Sequence, residues 1–261
     1  ALTTGSSSVV VAVLDTGIRT HEDLDATKQL PGYDMISDTL IANDGNVRDA
    51  DPTDPGDGVT QVALDGGLSE LSPGCPVRDS SWHGMHVTGT INASTDNGLG
   101  VASVAPGVKV EPVRVLGRCG GFTSDIVDAI VWASGGTVAG VPDNANPADI
   151  INMSLGSQQA CTNSYQTAID AAVASGTTVV AAGGNSNVDV AGASPASCNN
   201  VIAVGAIGED GKRADFSNYG AGIDLSAPGA LIASTTNAGL LGPGADNYMF
   251  MSGTSQAAPH V

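Results

Sequence analysis

Three residues of this 261-residue chain are of the types that together activate a weak nucleophile: Asp15, His83 and Ser255. A serine hydroxyl is unreactive until a base removes its proton, and an imidazole is the commonest base for this task. A carboxylate can hold that imidazole in one tautomer and stabilise its cation. Each residue has a plain structural interpretation by itself, since serine often begins a helix and histidine often lies in a core. Together with their flanking motifs, the three predict nucleophilic catalysis.

The flanking motifs and their order along the chain narrow this chemistry. Asp15 lies in the segment VLDTG, His83 in HGMHV and Ser255 in GTSQAAPH. The order acid, base, nucleophile differs from that of the chymotrypsin-type and α/β-hydrolase enzymes and is the subtilisin-type order. Over residues 9–261 the chain resembles the subtilisin-like (subtilase) peptidases, in particular their secreted branch from Gram-negative bacteria.

This resemblance implies a secreted serine endopeptidase that hydrolyses peptide bonds in proteins through an acyl-enzyme on Ser255. It also implies that Asn185, in the segment AAGGNS, donates a hydrogen bond to the oxyanion of the tetrahedral intermediate. The backbone N–H of Ser255 would be the second donor. The other interpretation of Asn185 is a loop asparagine that turn geometry alone favours.

Two glycine-containing segments resemble the edges to which the family binds an extended peptide. Glycine lets the backbones of enzyme and substrate approach closely, and a peptide can add to such an edge as a strand. Plain loops are the other interpretation. With the loop before Asn185, the expected substrate contacts are Gly120, Gly121, Phe122, Ser154, Leu155, Gly156, Gly183 and Gly184. Small side chains at Gly192 and Ala193 predict an uncharged pocket that prefers large apolar residues before the scissile bond.

Two acidic loops predict calcium binding. Residues 49–57 form a short, proline-stiffened loop of hard oxygen ligands, namely Asp49, Asp51, Asp54 and Asp57. A solvated acidic loop is the other interpretation of this segment. The family resemblance implies a second site, where Asp23 pairs with a loop that contains Asn97.

The sequence leaves two other functions open, an aspartic peptidase and an inactive binding module, and argues against a zinc peptidase. The zinc motif HExxH needs a glutamate where Gly84 stands, so we expect His86 to be structural. Asp15 begins an Asp-Thr-Gly tripeptide, the signature of aspartic peptidases, but those enzymes need a second such carboxylate and the chain has no second copy. A catalytically inactive, calcium-stabilised binding module is the remaining alternative. A serine-directed organophosphorus or sulfonyl reagent would distinguish these functions.

Short apolar, β-branched runs alternate with helical patterns along the chain. The predicted strands are residues 9–14, 108–116, 149–155, 177–182, 201–207 and 223–227. The predicted helices are residues 83–91, 124–134 and 164–175. This alternation predicts an α/β fold, and the resemblance makes it a subtilisin-like three-layer sandwich around a central, mostly parallel sheet. In such sheets ligands bind beyond the carboxyl ends of the strands, where Asp15 and Asn185 lie.

Length and composition predict one domain. A chain of 261 residues can bury one large core, and no change of composition divides it. We therefore expect one peptidase domain over residues 1–261. Compared with the family, the chain stops at Val261, six residues after the proposed nucleophile, where a helix is beginning. We expect it to be truncated at the C-terminus and leave open a missing leading segment.

The net charge of −18 at pH 7 argues against a nucleic-acid partner, because phosphate binding needs a basic face. No apolar run approaches the length of a membrane span. We expect protein and peptide substrates, and a monomer.

The four cysteines are an even number without CxxC spacing, which favours disulfides over a metal or redox motif. Export would oxidise them, and the sequence alone allows three pairings. The family resemblance favours Cys75 with Cys119 and Cys161 with Cys198.

Overall fold

The computed structural model describes residues 3–261, and a parallel β-sheet runs through the middle of the structure. Its strands are Val10–Asp15 (β1), Tyr33–Asp34 (β2), Lys109–Arg114 (β3), Ile150–Met153 (β4), Thr178–Ala182 (β5), Val201–Ile207 (β6) and Leu225–Pro228 (β7). The seven strands lie in the order β2-β3-β1-β4-β5-β6-β7, and every neighbouring pair is parallel.

Helices and one hairpin complete the fold. The hairpin is antiparallel and consists of Ile232–Asn237 (β8) and Asp246–Met251 (β9). The α-helices are Thr39–Ala42 (α1), Gln61–Ala63 (α2), Ser69–Leu71 (α3), His83–Asn92 (α4), Thr123–Ala133 (α5), Asn163–Ala174 (α6) and Thr254–Ala257 (α7). A π-helical turn joins α2 to α3, and short 3₁₀ turns occupy Ala26–Lys28, Val190–Gly192 and Ala258–His260.

Alternate residues of β1 face opposite helical layers. Ala12 and Leu14 belong to the largest apolar cluster, which includes the buried faces of α5 and α6. Val11 and Val13 pack with Val87 of α4 on the other face. Because successive side chains of a strand point to opposite sides, a strand buried on both faces has apolar residues at every position. The apolar runs therefore predicted the strands of a three-layer structure.

The six predicted strands correspond to β1 and β3–β7, and the three predicted helices to α4–α6, with ends that agree within two residues. The hairpin β8–β9 was not predicted. Its inner face carries hydroxyl groups instead of apolar side chains: Ser234 Oγ donates to His86 O at 2.7 Å and Thr235 Oγ1 donates to Met85 O at 2.8 Å. His86 Nε2 donates back to Ile232 O at 3.0 Å, which is the structural role expected of this residue.

Both predicted disulfides are confirmed. Cys75 pairs with Cys119, with Cα atoms 5.7 Å apart, and Cys161 pairs with Cys198, with Cα atoms 5.0 Å apart. The first disulfide attaches the loop around Cys75 to the turn that precedes α5. Among residues 3–261, no helix is both long and apolar enough to cross a lipid bilayer.

Candidate active site

The carboxyl ends of neighbouring parallel strands bring the predicted catalytic residues to one edge of the sheet. Asp15 is the last residue of β1, and Ser154 and Asn185 follow β4 and β5. His83 is the first residue of α4, and Ser255 lies in the first turn of α7. His83, Asn185 and Ser255 line one open cavity of about 770 Å³.

The Asp15 carboxylate holds the imidazole of His83. Its two oxygens lie 2.8 and 2.9 Å from His83 Nδ1, and the backbone N–H of Thr16 donates to Asp15 Oδ1 at 2.7 Å. Asp15 is only 1% exposed, so this contact is shielded from water. With Nδ1–H donating to the carboxylate, Nε2 is the nitrogen left free to accept a proton.

Carboxylates near His83 control its protonation. Burial alone would lower the pKa of His83, but the Asp15 carboxylate outweighs it, helped by Asp57 and Asp54. The net result is a pKa above the ordinary value of 6.5. The imidazole is therefore a competent base only above this raised pKa, and activity that depends on it should fall as the pH drops through that value.

The start of α4 is fixed by contacts that the sequence did not reveal. Trp82, just before His83, has a left-handed backbone with φ of 51°, which is unusual for a bulky residue. Its indole Nε1 donates to Gly239 O at 2.7 Å. On the other side, Thr16 Oγ1 accepts from Gly84 N at 3.0 Å and donates to Asp54 Oδ2 at 2.7 Å.

Ser255, the predicted nucleophile, makes a reciprocal pair of hydrogen bonds with Ser154. Ser255 Oγ donates to the carbonyl of Ser154 at 3.0 Å, and Ser154 Oγ donates to the carbonyl of Ser255 at 2.7 Å. Among the hydrogen bonds of residues 3–261, none joins Ser255 to His83. Ser154 thus fixes the backbone of Ser255 and holds its hydroxyl in the resting state.

The amide of Asn185 is oriented by Thr254, the residue before the nucleophile. Asn185 Oδ1 accepts from Thr254 N at 2.7 Å and from Thr254 Oγ1 at 2.9 Å. Thr254 is fully buried, and its Oγ1 also accepts from Gly184 N at 2.9 Å. Because its oxygen is occupied, Asn185 presents Nδ2 as the available group, and Nδ2 is a hydrogen-bond donor.

Most of the expected substrate contacts line the cavity. Those that do are Gly120, Gly121, Ser154, Leu155, Gly156 and Gly184. The other two, Phe122 and Gly183, are not among the residues that line the cavity. Phe122 packs against the apolar cluster around Ile41 and Leu68, since the disulfide at Cys119 draws the turn toward that cluster. Gly183 continues the sheet, because its N–H donates to Val204 O at 2.9 Å.

Gly184, Ala193 and Asn218 lie together in the cavity lining, since a Cβ added at Gly184 would lie 2.3 Å from Asn218 Nδ2 and 3.8 Å from Ala193 Cβ. With Ala182, which also lines the cavity, they form an uncharged part that we call the recess. The side-chain amide of Asn218 is already engaged, because its Nδ2 donates to Gly183 O at 2.8 Å and its Oδ1 accepts from two backbone N–H groups. Of the two small residues from which the sequence predicted the pocket, Ala193 lines the cavity and Gly192 is not in its lining.

The acidic loop at residues 49–57 does not form the ligand set that the sequence predicted. Asp49 and Asp51 accept hydrogen bonds from backbone N–H groups within the loop. The oxygens of the buried Asp54 accept from Thr16 and Gly56, and those of Asp57 from Ser81 and Arg78; the distances are 2.5 to 3.1 Å. Across residues 3–261, no three His, Cys, Asp or Glu side chains are grouped to hold a metal ion. These carboxylates do not fit calcium as they stand.

The second predicted calcium pair does come together. Asp23 is fully buried, and its Oδ1 accepts from Asn97 Nδ2 at 2.7 Å. Its Oδ2 accepts from the backbone N–H of Val101 at 2.9 Å. Within residues 3–261, no basic side chain pairs with Asp23.

A sequence model of the subtilase family matches residues 6–261. The chain belongs to the subtilase family. Among curated relatives of this subtilase, an extracellular protease of Xanthomonas campestris is 55% identical over 98% of the chain. An extracellular basic protease of Dichelobacter nodosus is 51% identical over 97% of the chain. The chain spans 43% and 41% of the length of these two relatives.

Solved structures confirm that this subtilase has the subtilisin-like α/β fold. A protease from Pseudoalteromonas arctica matches with a TM-score of 0.92 at 51% identity, covering 99% of this chain and 76% of that one. A cold-adapted subtilisin-like serine proteinase matches with a TM-score of 0.67 at 30% identity, covering 98% of this chain and 73% of that one. Both matches extend over almost the whole of this subtilase.

Proposed function

We propose that this subtilase is a serine endopeptidase that hydrolyses peptide bonds in proteins through an acyl-enzyme on Ser255. The observation that carries the proposal is the contact of both Asp15 oxygens with His83 Nδ1, beside a cavity that His83 shares with Ser255 and Asn185. An aspartic peptidase would use the Asp15 carboxylate without the imidazole, and would leave Asn185 and Ser255 without a task.

The reaction begins when Ser255 Oγ turns from the Ser154 carbonyl and gives its proton to His83 Nε2. Oγ then attacks the peptide carbonyl carbon, and the negative charge on the carbonyl oxygen is stabilised by Asn185 Nδ2 and the backbone N–H of Ser255. His83 protonates the departing amine as the C–N bond breaks, which leaves the acyl-enzyme. Water then repeats the attack with His83 as base, and Ser255 recovers its proton.

Peptide binding is supported by free backbone groups on the two edges. Among residues 3–261, no other group hydrogen-bonds to the backbone of Gly121 or Gly156. A side chain at Gly121 would collide with Val115 O, since an added Cβ would lie 2.1 Å from that atom. We infer that the residues before the scissile bond lie extended between these two edges, where strand-like pairing fixes their direction.

We infer a preference for large apolar P1 residues from the recess lined by Ala182, Gly184, Ala193 and Asn218. The recess offers small side chains and no charge, and the polar groups of Asn218 are already bonded. Burying a charged P1 side chain there would leave it without a partner. Peptides with Phe or Leu at P1 should be cleaved faster than peptides with Lys or Glu, and a strong preference for Lys would contradict this inference.

We propose that the enzyme acts outside the cell, as a monomer on protein substrates. The relatives named extracellular proteases and the two disulfides support export. The net charge of −18 supports the exclusion of nucleic acid as a partner. Cell fractionation tests the location of the enzyme, and sedimentation of the purified protein tests whether it is a monomer.

We also propose, following the family resemblance, that Asp23 and Asn97 are ligands of a calcium ion. Turning the Asn97 amide would present its oxygen to the buried Asp23 carboxylate, and only a cation between the two oxygens would stabilise that arrangement. Excess calcium at about 100 times Kd should then add about 2.7 kcal/mol to the free energy of unfolding. The Asp23→Asn variant should lose this calcium dependence, whereas Asp51→Asn should keep it; equal behaviour of the two variants would refute the site.

The peptidase function is tested by labelling with a serine-directed organophosphorus reagent. We expect one molecule of reagent per enzyme, with parallel loss of casein hydrolysis, and no inhibition by pepstatin. The Ser255→Ala variant is the matched control and should neither be labelled nor cleave casein. Hydrolysis that persists in labelled enzyme, or that pepstatin blocks, would refute the serine mechanism.

A further inference from the structure

We propose that Arg78 is a specificity-determining residue that selects an acidic substrate side chain on the acyl side of the scissile bond. This inference rests on the proposed peptidase function, since it assigns a substrate class to the same cleft. Arg78 lines the 770 Å³ cavity that also contains His83 and Ser255.

The backbone of Arg78 is held rigidly. Its N–H donates to Val59 O at 3.0 Å and its carbonyl accepts from Val59 N at 2.8 Å. Val59 is fully buried. The side chain of Arg78 therefore extends into the cleft from a fixed point, which limits the conformational entropy that binding to it would cost.

The guanidinium of Arg78 has unused donors. Among residues 3–261, its one side-chain hydrogen bond runs from Nη2 to Asp57 Oδ2 at 3.1 Å. An arginine carries five N–H donors in a planar fork that matches a carboxylate. The contact with Asp57 fixes the orientation of the group and leaves most of these donors for a second anion.

Both members of this pair line the cavity, and the positive one is far more exposed than the negative one. The side chain of Arg78 is 42% exposed, whereas that of Asp57 is 4% exposed. Both oxygens of Asp57 are also occupied by Ser81, through its backbone N–H at 2.5 Å and its hydroxyl at 3.0 Å. A substrate that enters the cleft therefore meets the cation.

Apart from its partner Asp57, no permanently charged residue of the described chain lines the cavity with Arg78. Among the described residues that line it, Asp57 and Arg78 alone are permanently charged, apart from the titratable His83. The chain as a whole carries a net charge of −18, which repels acidic peptides at long range but is screened beyond about 10 Å in ordinary buffers. Within the cleft, Arg78 therefore supplies a positive charge on a chain whose net charge is negative.

The position of Arg78 indicates which part of the substrate it meets. The neighbouring cavity wall contains Cys75, which is joined to Cys119, and Cys119 directly precedes the Gly120 and Gly121 edge. Ala193 lies beside the other edge, because the next residue, Ser194, exchanges backbone hydrogen bonds with Ser157, which follows Gly156. We therefore assign the acidic preference to positions P2 to P4 instead of P1.

Fluorogenic peptides with Phe at P1, and with Glu or Gln at each of P2, P3 and P4, test the assignment. At one of these positions, the wild-type kcat/KM for the Glu peptide should be about fivefold higher than that for the Gln peptide. A difference of this size is what one partly exposed ion pair contributes. In Arg78→Gln this ratio should fall to about one. Because the ratio compares two peptides with the same enzyme, a general change in kcat/KM cancels out of it. Arg78→Lys should keep part of the ratio, because lysine keeps the charge but lacks the fork.

The matched control is Lys212→Gln, because Lys212 is 83% exposed and does not line the cavity. This variant should keep the wild-type ratio. Equal labelling rates of Ser255 by a small uncharged organophosphorus reagent show that Arg78→Gln is folded. No Glu preference in the wild type, or the same preference in Arg78→Gln, would overturn the assignment. Failure of every variant to cleave any peptide or to react with the reagent would instead refute the peptidase function, and the assignment with it.

Discussion

The two halves of the proposed catalytic cleft are held together by different kinds of interaction. The base half contains His83 with the carboxylates of Asp15, Asp54 and Asp57, all three of which are almost completely buried near the first turn of α4. The nucleophile half contains hydroxyl, amide and backbone groups only. The base half therefore depends on charge and the nucleophile half on geometry.

This difference separates two ways of losing activity. A change of charge in the base half alters the pKa of His83 and hence the pH dependence of catalysis. A change in the nucleophile half displaces a donor or the attacking oxygen and lowers the rate at every pH. Variants that keep shape but remove charge, or keep charge but remove a donor, can tell these effects apart.

The largest effect is expected where the halves meet. Ser255→Ala and His83→Ala should each lower kcat by roughly 10⁶-fold, the size typical of subtilisin-type triads, because the residues act as a unit. The double variant should be no worse than either single one. Steady-state kinetics with a fluorogenic peptide measures this, and multiplicative losses in the double variant would show that the two halves act independently.

Next in size is the loss of the oxyanion donor in the nucleophile half. Asn185→Ala should lower kcat by about 10²–10³-fold with little change in KM. Because Asn185 is neutral, the shape of the pH–rate profile should not change. A profile with a displaced acid limb would show that the nucleophile half also controls the protonation of His83.

A smaller effect is expected from Asp54→Asn in the base half. An amide has one acceptor oxygen, so the variant can keep the hydrogen bond from Thr16 Oγ1 but loses the one from Gly56 N when it removes the charge. One fewer carboxylate should lower the pKa of His83, and the acid limb of kcat/KM should move to lower pH. The Asp51→Asn variant is the control, since Asp51 lies on the same loop and is exposed. Coincident profiles for all three proteins would contradict the account of the base half.

The smallest effect on activity is expected from Glu111 of β3, which lies outside both halves. It is fully buried, and among residues 3–261 its only side-chain partner is Asn144 Nδ2 at 2.9 Å. Burial raises its pKa from 4.5 to about 8. Between these pH values the folded state keeps a proton that the unfolded state loses. The free energy of unfolding should therefore decrease as pH rises, by up to about 1.4 kcal/mol per pH unit.

Glu111→Gln should remove this slope and leave kcat unchanged, as urea unfolding at several pH values with parallel assays would show. A slope that survives in Glu111→Gln would mean that other groups cause it. A change in kcat would mean that charge outside the cleft reaches the catalytic residues, and would weaken the distinction between the two halves.

The sequence could single out the three proposed triad residues because each lies in a motif of its own. It could not single out the groups that position them, because their partners are distant in the chain. Thr16 and Asp54 are 38 residues apart, and Ser154 and Ser255 are 101 residues apart. Nothing in either local sequence indicates the other partner.

Residue type explains why the central sheet was predicted from the sequence and the hairpin was not. Strands buried on both faces are continuous apolar runs, so the central sheet was predictable. The hairpin β8–β9 buries hydroxyl groups against α4, as Ser234 and Thr235 do, and hydroxyls give no apolar signal. The acidic loop at residues 49–57 has the composition of a calcium site, but Asp54 and Asp57 hold Thr16 and Ser81 instead.

The acyl-enzyme on Ser255 is the central claim, and trapping it is the most direct test. Rapid mixing with a nitrophenyl ester should give a burst of nitrophenol equal to the enzyme concentration. Mass spectrometry of acid-quenched samples should find one acyl group, on the peptide that contains Ser255. Turnover with no burst and no adduct, or an adduct on another residue, would contradict the account.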